Sequence, residues 1–271
     1  MPLVVRTWNV FHGNAVPPER HAFLEQMVRL VAADGPDVVC LQEVPIWALA
    51  QLEEWSAMAV APAVARPPRL GPLPWPAEAG RVVTDLDHGL LRSAFTGQAN
   101  AILVARRHRI LATEAIALNE RGFRRAQARW LRLDLVTRLA WAKERRVCQA
   151  ARVAVGGADE TVLVANLHTT SYEADQRLAD AELRRASAFV EGLARPGEPV
   201  VLCGDVNLFP ERSRTIQDLR ADGFSDPIPR RIDQVLVRGL SMSPPTIWPE
   251  ERRRVDGRLL SDHAPVEAVV G

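Results

Sequence analysis

Six places along the chain set carboxylates, amides or imidazoles where apolar runs begin or end. One run stops at Asn9, and a second, Asp-Val-Val-Cys-Leu, leads into Gln42-Glu43. A third carries Asn166 and His168 two residues apart, and a fourth carries Asp205 and Asn207 at the same spacing. Arg231-Ile232-Asp233 opens another run, and Ser261-Asp262-His263 immediately precedes the last one. In an extended chain residues i and i+2 share a face, so each spaced pair aims two side chains at a common point. Hard carboxylate and amide oxygens suit magnesium or manganese, while imidazoles beside carboxylates hold and move protons. Taken singly, each place also has a plain structural meaning. Asn or Asp at a strand end is commonly a turn former, and a lone histidine in an apolar run is usually a satisfied core residue.

The elements that must carry these groups follow from the apolar pattern. Runs rich in β-branched residues predict strands over 3–8, 37–41, 101–105, 130–136, 147–155, 161–167, 199–203, 232–237 and 265–270. Three- and four-residue spacing sets Phe23, Met27, Leu30 and Val31 on one face of a helix over 18–33. The same spacing aligns Ala174, Leu178, Ala181, Phe189 and Leu193 over 173–194. Strands alternating with helices argue an α/β architecture. Residues 60–76 hold six prolines, which predicts an irregular excursion rather than a core element.

With 271 residues, 47% of them apolar, the chain is long enough for one large domain with a sizeable core. A net charge of +1 supplies no overall basic field of the kind that marks a nucleic-acid binder, and local basic clusters at 121–132 and 252–254 read as solvated faces. No apolar run is long enough to span a bilayer, and the first residues lack the pattern of a signal peptide. These features predict a cytoplasmic protein with no stable membrane anchor and no obligate protein partner. Cys40, Cys148 and Cys203 lie in apolar runs and read as buried, reduced thiols.

The wording and order of the polar places carry a resemblance. WNV, LQEV, NAIL, NLH, GDVN, IDQV and SDH follow one another in a way that resembles the endonuclease/exonuclease/phosphatase superfamily. The likeness covers residues 4–270, is poorest at about 60–99, and is strongest in GDVN followed by the late SDHAPV. It implies a four-layer sandwich, with two mixed β-sheets face to face, helices outside and a catalytic pocket at one edge. It further implies a single domain over 1–271, with 60–76 as a loop excursion.

The implied chemistry is divalent-metal-dependent hydrolysis of a phosphoester by water, with Mg2+ or Mn2+ as cofactor. By resemblance Glu43 is the main metal ligand, Asn9 stands beside it, and Asp262 is available to the same or a second ion. Asp205 orients or deprotonates the water, and Asn207 holds it or a phosphate oxygen. His263 contacts the phosphate, with Asp233 fixing its tautomer. His168 contacts phosphate or transfers a proton, Asn166 steadies the phosphate, and Asn100 lines the pocket. Two positions depart from relatives: Phe11 stands where one branch has an aspartate, and 97–100 offers no carboxylate to support His168. The substrate stays open between a phosphodiester, nucleic acid included, and a small molecule or lipid head group. A catalytically silent binding module is disfavoured because every expected polar position is filled. A lipid-acting enzyme needs an exposed apolar loop, for which only Trp75 offers a hint.

Overall fold

The apolar runs pair into two sheets in the structure, a computed structural model that describes residues 2–67, 69–70, 73–74, 97–156 and 160–271. The first half of the chain forms β1 (Leu3–Asn9), β2 (Ala15–Val16), α1 (Leu24–Ala32), β3 (Val38–Val44), α2 (Leu52–Ser56), β4 (Ala59–Arg66), β5 (Arg69–Leu70), β6 (Leu73–Pro74), β7 (Gln98–Val104) and β8 (Arg109–Ala117). Then come α3 (Arg121–Trp130), α4 (Leu135–Lys143), β9 (Val147–Ala154), β10 (Thr161–His168), α5 (Arg177–Leu193), β11 (Val200–Asp205) and α6 (Arg214–Ala221). The last stretch gives β12 (Asp233–Arg238), β13 (Thr246–Ile247), β14 (Arg254–Val255), β15 (Arg258–Leu260) and β16 (Val266–Val270).

One sheet has the order β13-β16-β1-β3-β7-β4 and the other β12-β11-β10-β9-β8. Both are mixed, since β1 runs parallel to β3 and antiparallel to β16, while β10 runs parallel to β11 and antiparallel to β9. Their inner faces bury Val5, Cys40 and Ile102 against Val164, Cys203 and Val235. On one outer face Met27, Val31 and Leu52 of α1 and α2 cover Leu41 and Leu103. On the other, Leu183 and Val190 of α5 and Ile216 of α6 cover Leu202 and Leu236. Helix, sheet, sheet, helix is the four-layer order expected. Each fully buried Leu, Ile or Val stabilises the stack by about 1.5–3 kcal/mol, so these three clusters fix the relative position of the sheets.

Strand direction then decides where the polar residues fall. The carboxyl ends of β1, β3, β10 and β11 and the amino ends of β12 and β16 share one edge of the sandwich. All three cysteines are buried and free. No helix among the described residues is long and apolar enough to cross a membrane.

Two expectations are corrected, and one strand was not anticipated. Residues 60–66 of the proline-rich stretch belong to β4 rather than to an irregular excursion. Among the described residues β4 is an edge strand that pairs only with β7, and its Pro62 is exposed while Ala61 and Ala63 are buried. An edge strand tolerates proline because one of its sides has no ladder to break. The rest of that stretch, Trp75 and Pro76 included, is outside the described residues apart from position 67 and the small β5–β6 hairpin. Residues 130–136 are not a strand either: Trp130 closes α3, and Asp134 caps α4 by accepting the Thr137 N–H at 2.7 Å. Such a cap is worth about 1 kcal/mol and overrides the apolar run that follows it. β8 was not anticipated, since most of its residues are exposed and its alternation is weak.

Candidate active site

Asn9 ends β1, and its amide donates to Asp205 Oδ2 at 2.9 Å while its Oδ1 accepts the Phe11 N–H at 3.0 Å. Glu43 lies in a bulge of β3, where the pairing with β7 shifts between Leu41 and Val44. Its φ of 57° is a left-handed conformation that a glutamate seldom adopts. The bulge turns the carboxylate out of the alternation and into the site. Asp205 and His168 stand opposite one another in the parallel pair of β11 and β10. Gly204 permits that pairing: its φ is +136°, and a Cβ there would lie 2.0 Å from the Leu167 carbonyl oxygen. Beyond the strand, Asn207 (φ 46°) donates its backbone N–H to Asp205 Oδ1 at 3.0 Å and its amide to the Thr169 carbonyl at 3.0 Å.

The loop before β16 brings in His263. Ser261 Oγ donates to the Asn9 carbonyl at 2.7 Å, and the His263 carbonyl accepts from Trp8 Nε1 at 2.9 Å and Arg253 Nη1 at 2.8 Å. His263 Nδ1 lies 2.9 Å from Asp233 Oδ2, and its Nε2 lies 3.8 Å from Asp205 Oδ2. Burial pushes the His263 pKa down, but Asp233 and then Asp205 outweigh it and raise the ring to about 10. Burial acts the other way on Asp205, whose carboxyl rises to about 7 despite the nearby His263. The pair is therefore an imidazolium facing a carboxyl group poised near neutrality.

His168 is different in kind. Gln98 Nε2 lies 3.1 Å from its Nδ1, and Arg146 Nη1 lies 2.8 Å and 2.6 Å from its two ring nitrogens. Burial first, and then the Arg146 charge, hold its pKa well below the usual value, so the ring is neutral. Donors lie against both ring nitrogens, and Nε2 also stands 3.5 Å from Asp205 Oδ2 and 3.7 Å from Glu43 Oε1. Glu43 has a second imidazole beside it, His12 Nε2 at 3.3 Å from Oε2. Burial raises the Glu43 carboxyl above its ordinary value, with Arg146 opposing.

The structure thus gathers Asn9, Glu43, His168, Asp205, Asn207, Asp233 and His263 at one edge. Asp205, Asp233 and His263 place one ligand atom each within 4.8 Å of one another. Asp262 stands exposed next to His263 and acts on it only through its charge. Two residues expected to contact substrate lie inside the sandwich. Asn166 is fully buried and spends its amide on the Leu41 and Ala101 carbonyls at 2.9 and 3.1 Å, while its Oδ1 accepts from Gln42 at 2.8 Å. It ties the two sheets together, and no donor is left for a phosphate. Asn100 is likewise buried and donates across the sandwich to the Val147 carbonyl at 3.3 Å.

Sequence reasoning missed His12, Gln98 and Arg146. Gln98 lies in the stretch where no carboxylate was found, and its amide fills that place against His168. A surface groove of about 1120 Å³ runs between α3 and α5 and is lined by none of these residues.

A family model, described as the endonuclease/exonuclease/phosphatase family, matches residues 7–263. No curated protein matches the sequence. Among solved structures, a functionally unknown conserved protein from Enterococcus faecalis V583 is similar at TM-score 0.68 and 17% identity, over 99% of each chain. An endonuclease/exonuclease/phosphatase from Beutenbergia cavernae gives 0.69 and 17%, covering 99% of this chain and 71% of that one. Truncated TDP2 from Caenorhabditis elegans gives 0.61 and 18%, covering 100% and 97%. At such identities these likenesses speak to the fold alone, and the fold they share is the sandwich whose edge holds the site. With nearly its whole length matched by the family model, the chain belongs to the endonuclease/exonuclease/phosphatase family.

Proposed function

We propose that the protein is a divalent-metal-dependent phosphoester hydrolase that cleaves a phosphodiester by attack of water at phosphorus. The observation that carries this reading is the meeting of Asp205 with the Asp233–His263 pair on one side and Asn9 and Glu43 on the other. Family members are generally phosphoester hydrolases, and a silent binding module would have no use for so costly a cluster of buried charge.

The donor set fits a hard cation. Glu43 is a carboxylate destabilised by burial, and its two oxygens face imidazole nitrogens at 3.3 and 3.7 Å. Glu43 and Asn9 would hold Mg2+ or Mn2+, with Asp262 near enough in sequence to His263 to add a further oxygen. When bound, the cation supplies neutralisation of charge on the phosphoryl oxygens. Asp205, fixed by Asn9 and the Asn207 N–H, orients the water and accepts its proton. Asn207 steadies that water from the loop. His263, kept protonated by Asp233, donates hydrogen bonds to the developing negative charge. Neutral His168, on the strand beside Asp205, contacts the same phosphate or passes a proton without adding charge.

The test is turnover of plasmid DNA, RNA, a simple nitrophenyl phosphodiester, phosphomonoesters and sphingomyelin with Mg2+ or Mn2+, for the wild type and Asp205→Asn. Turnover of at least one substrate, lost in Asp205→Asn, is the expected result. No turnover of any of them sinks the reading.

A further inference from the structure

Between β8 and β9 the chain makes a helical hairpin, α3 and α4, whose surface has no part in the site just described. Trp130 closes α3, and Leu135, Val136 and Leu139 open α4, with exposures of 74, 70, 69 and 62%. No other large apolar side chain among the described residues exceeds the 49% of Val64. Fraying does not explain this. Ala128, Leu133 and Trp141 pack with Leu178 of α5, and the Phe123 ring meets Trp141 edge-on at 6.1 Å. At the root, Asn119 accepts the Arg146 N–H at 3.0 Å and donates to the Glu144 carbonyl at 2.8 Å. The hairpin is a rigid arm that holds its apolar residues out in water.

Its charge is as uneven as its hydropathy. Residues 121–143 carry seven basic side chains and one carboxylate, in a chain whose net charge is +1. Arg121, Arg124, Arg125, Arg129 and Arg138 line a groove of about 470 Å³ between the helices, with no acid in its lining. Elsewhere Arg6, Arg152, Arg177 and Arg238 each sit against a carboxylate at 2.6–2.7 Å. Among the described residues these five arginines have no such partner.

We propose that the α3–α4 hairpin is a docking surface for anionic phospholipid bilayers, with the apolar tip entering the headgroup layer and the arginine groove holding lipid phosphates. An amphipathic element with exposed Trp and Leu beside arginine lies in that interface, and each basic residue adds attraction to an anionic leaflet. Nucleic acid satisfies the arginines but gives nothing to four exposed apolar side chains at the tip. A second copy packed tip to tip sets arginines against arginines.

Docking here also orients the site. α4 runs through Glu144 directly to Arg146, which touches His168, so the arm springs from the rim of the catalytic cleft. The docking surface goes beyond the hydrolase reading. Where that reading also holds, the substrate is a phosphoester in a lipid head group, presented at the bilayer to which the arm is bound.

The experiment is sedimentation of the whole protein with phosphatidylcholine vesicles, with and without phosphatidylserine, across a salt series. The expected result is binding that needs phosphatidylserine and weakens with salt. Binding should fall about tenfold or more in Trp130→Ser/Leu135→Ser and in Arg125→Glu/Arg129→Glu, with circular dichroism and turnover of a soluble phosphodiester unchanged. The proposal is overturned by absence of wild-type binding at low salt, or by binding that neither variant weakens. It is equally overturned by a dimer, or a duplex-DNA complex, that Trp130→Ser/Leu135→Ser abolishes while vesicle binding persists. Vesicle binding without turnover of any soluble or lipid phosphoester leaves the docking surface standing and removes the hydrolase.

Discussion

Asp233 spans one nitrogen of His263 with both carboxylate oxygens, Oδ2 at 2.9 Å and Oδ1 at 3.1 Å from Nδ1, and so turns Nε2 toward Asp205. The two residues are a unit in charge as well as in geometry, since Asp233 is what keeps the ring protonated. His263→Ala and Asp233→Ala should each lower kcat by about 100-fold or more without unfolding the protein. The double variant should be little slower than His263→Ala alone, because the second loss removes a partner already idle. Losses that multiply would mean the residues act separately.

Asp205 is held at the expense of stability. Its folded pKa of about 7 is above the ordinary 3.8, so the folded state binds a proton that the unfolded state releases. The stabilisation tied to that proton is complete below about 3.8 and is lost as pH rises through about 7. Asp205→Asn keeps the shape without the charge. In chelator its melting temperature should match wild type near pH 4 and exceed it by on the order of 5 °C at pH 8. Equal melting at both pH values would show that the carboxylate is not under this strain.

Metal dependence should follow Glu43 and, more weakly, His12. Chelator should stop turnover, and added Mg2+ or Mn2+ should restore it. Glu43→Ala should demand much more metal for half-maximal rate. His12→Ala, which removes the imidazole 3.3 Å from Oε2, should demand about tenfold more. Calorimetric titration of the metal reads the same affinities without turnover. An unchanged titration for Glu43→Ala would remove it from the ligand set.

Asn166 makes the opposite prediction. Asn166→Ala strands the Leu41 and Ala101 carbonyls and one Gln42 donor inside the sandwich, which costs about 1–3 kcal/mol for each buried group left unmade. Denaturant melts should show that loss, while kcat of the folded protein stays near wild type. A large fall in kcat with stability intact would return Asn166 to the substrate.

What the sequence revealed of the site followed from strand ends. Asn9, Glu43, Asp205, Asp233 and His263 were legible because each interrupts an apolar run, and strand direction then brings the ends together. Arg146 and Gln98 were not, because their meeting at His168 depends on the register of β7 and β9 in different sheets. His12 was hidden by its backbone: Phe11, His12 and Gly13 take φ of 48°, 54° and 85° in succession, a turn that spacing alone does not announce. Asn166 misled for the opposite reason. The i, i+2 rule gave its face correctly, but that face at Asn166 is already the dry interior between the sheets. In the fold, the apolar run at 130–136 misled because its exposed residues belong to the tip of an arm rather than to a sheet.

β1 lies between β3, a near neighbour in sequence, and β16, which comes last. Growing from a ribosome, the first strand can find one partner early but waits with its other edge open for almost the entire remainder of the domain. Asn9 is at the end of that waiting strand, and His263 reaches it only on the loop that delivers β16. Assembly of the candidate site and completion of the sheet are therefore one event. On the proposed hydrolase reading a half-made chain should be inert, and onset of turnover should serve as a clock for the final step of folding.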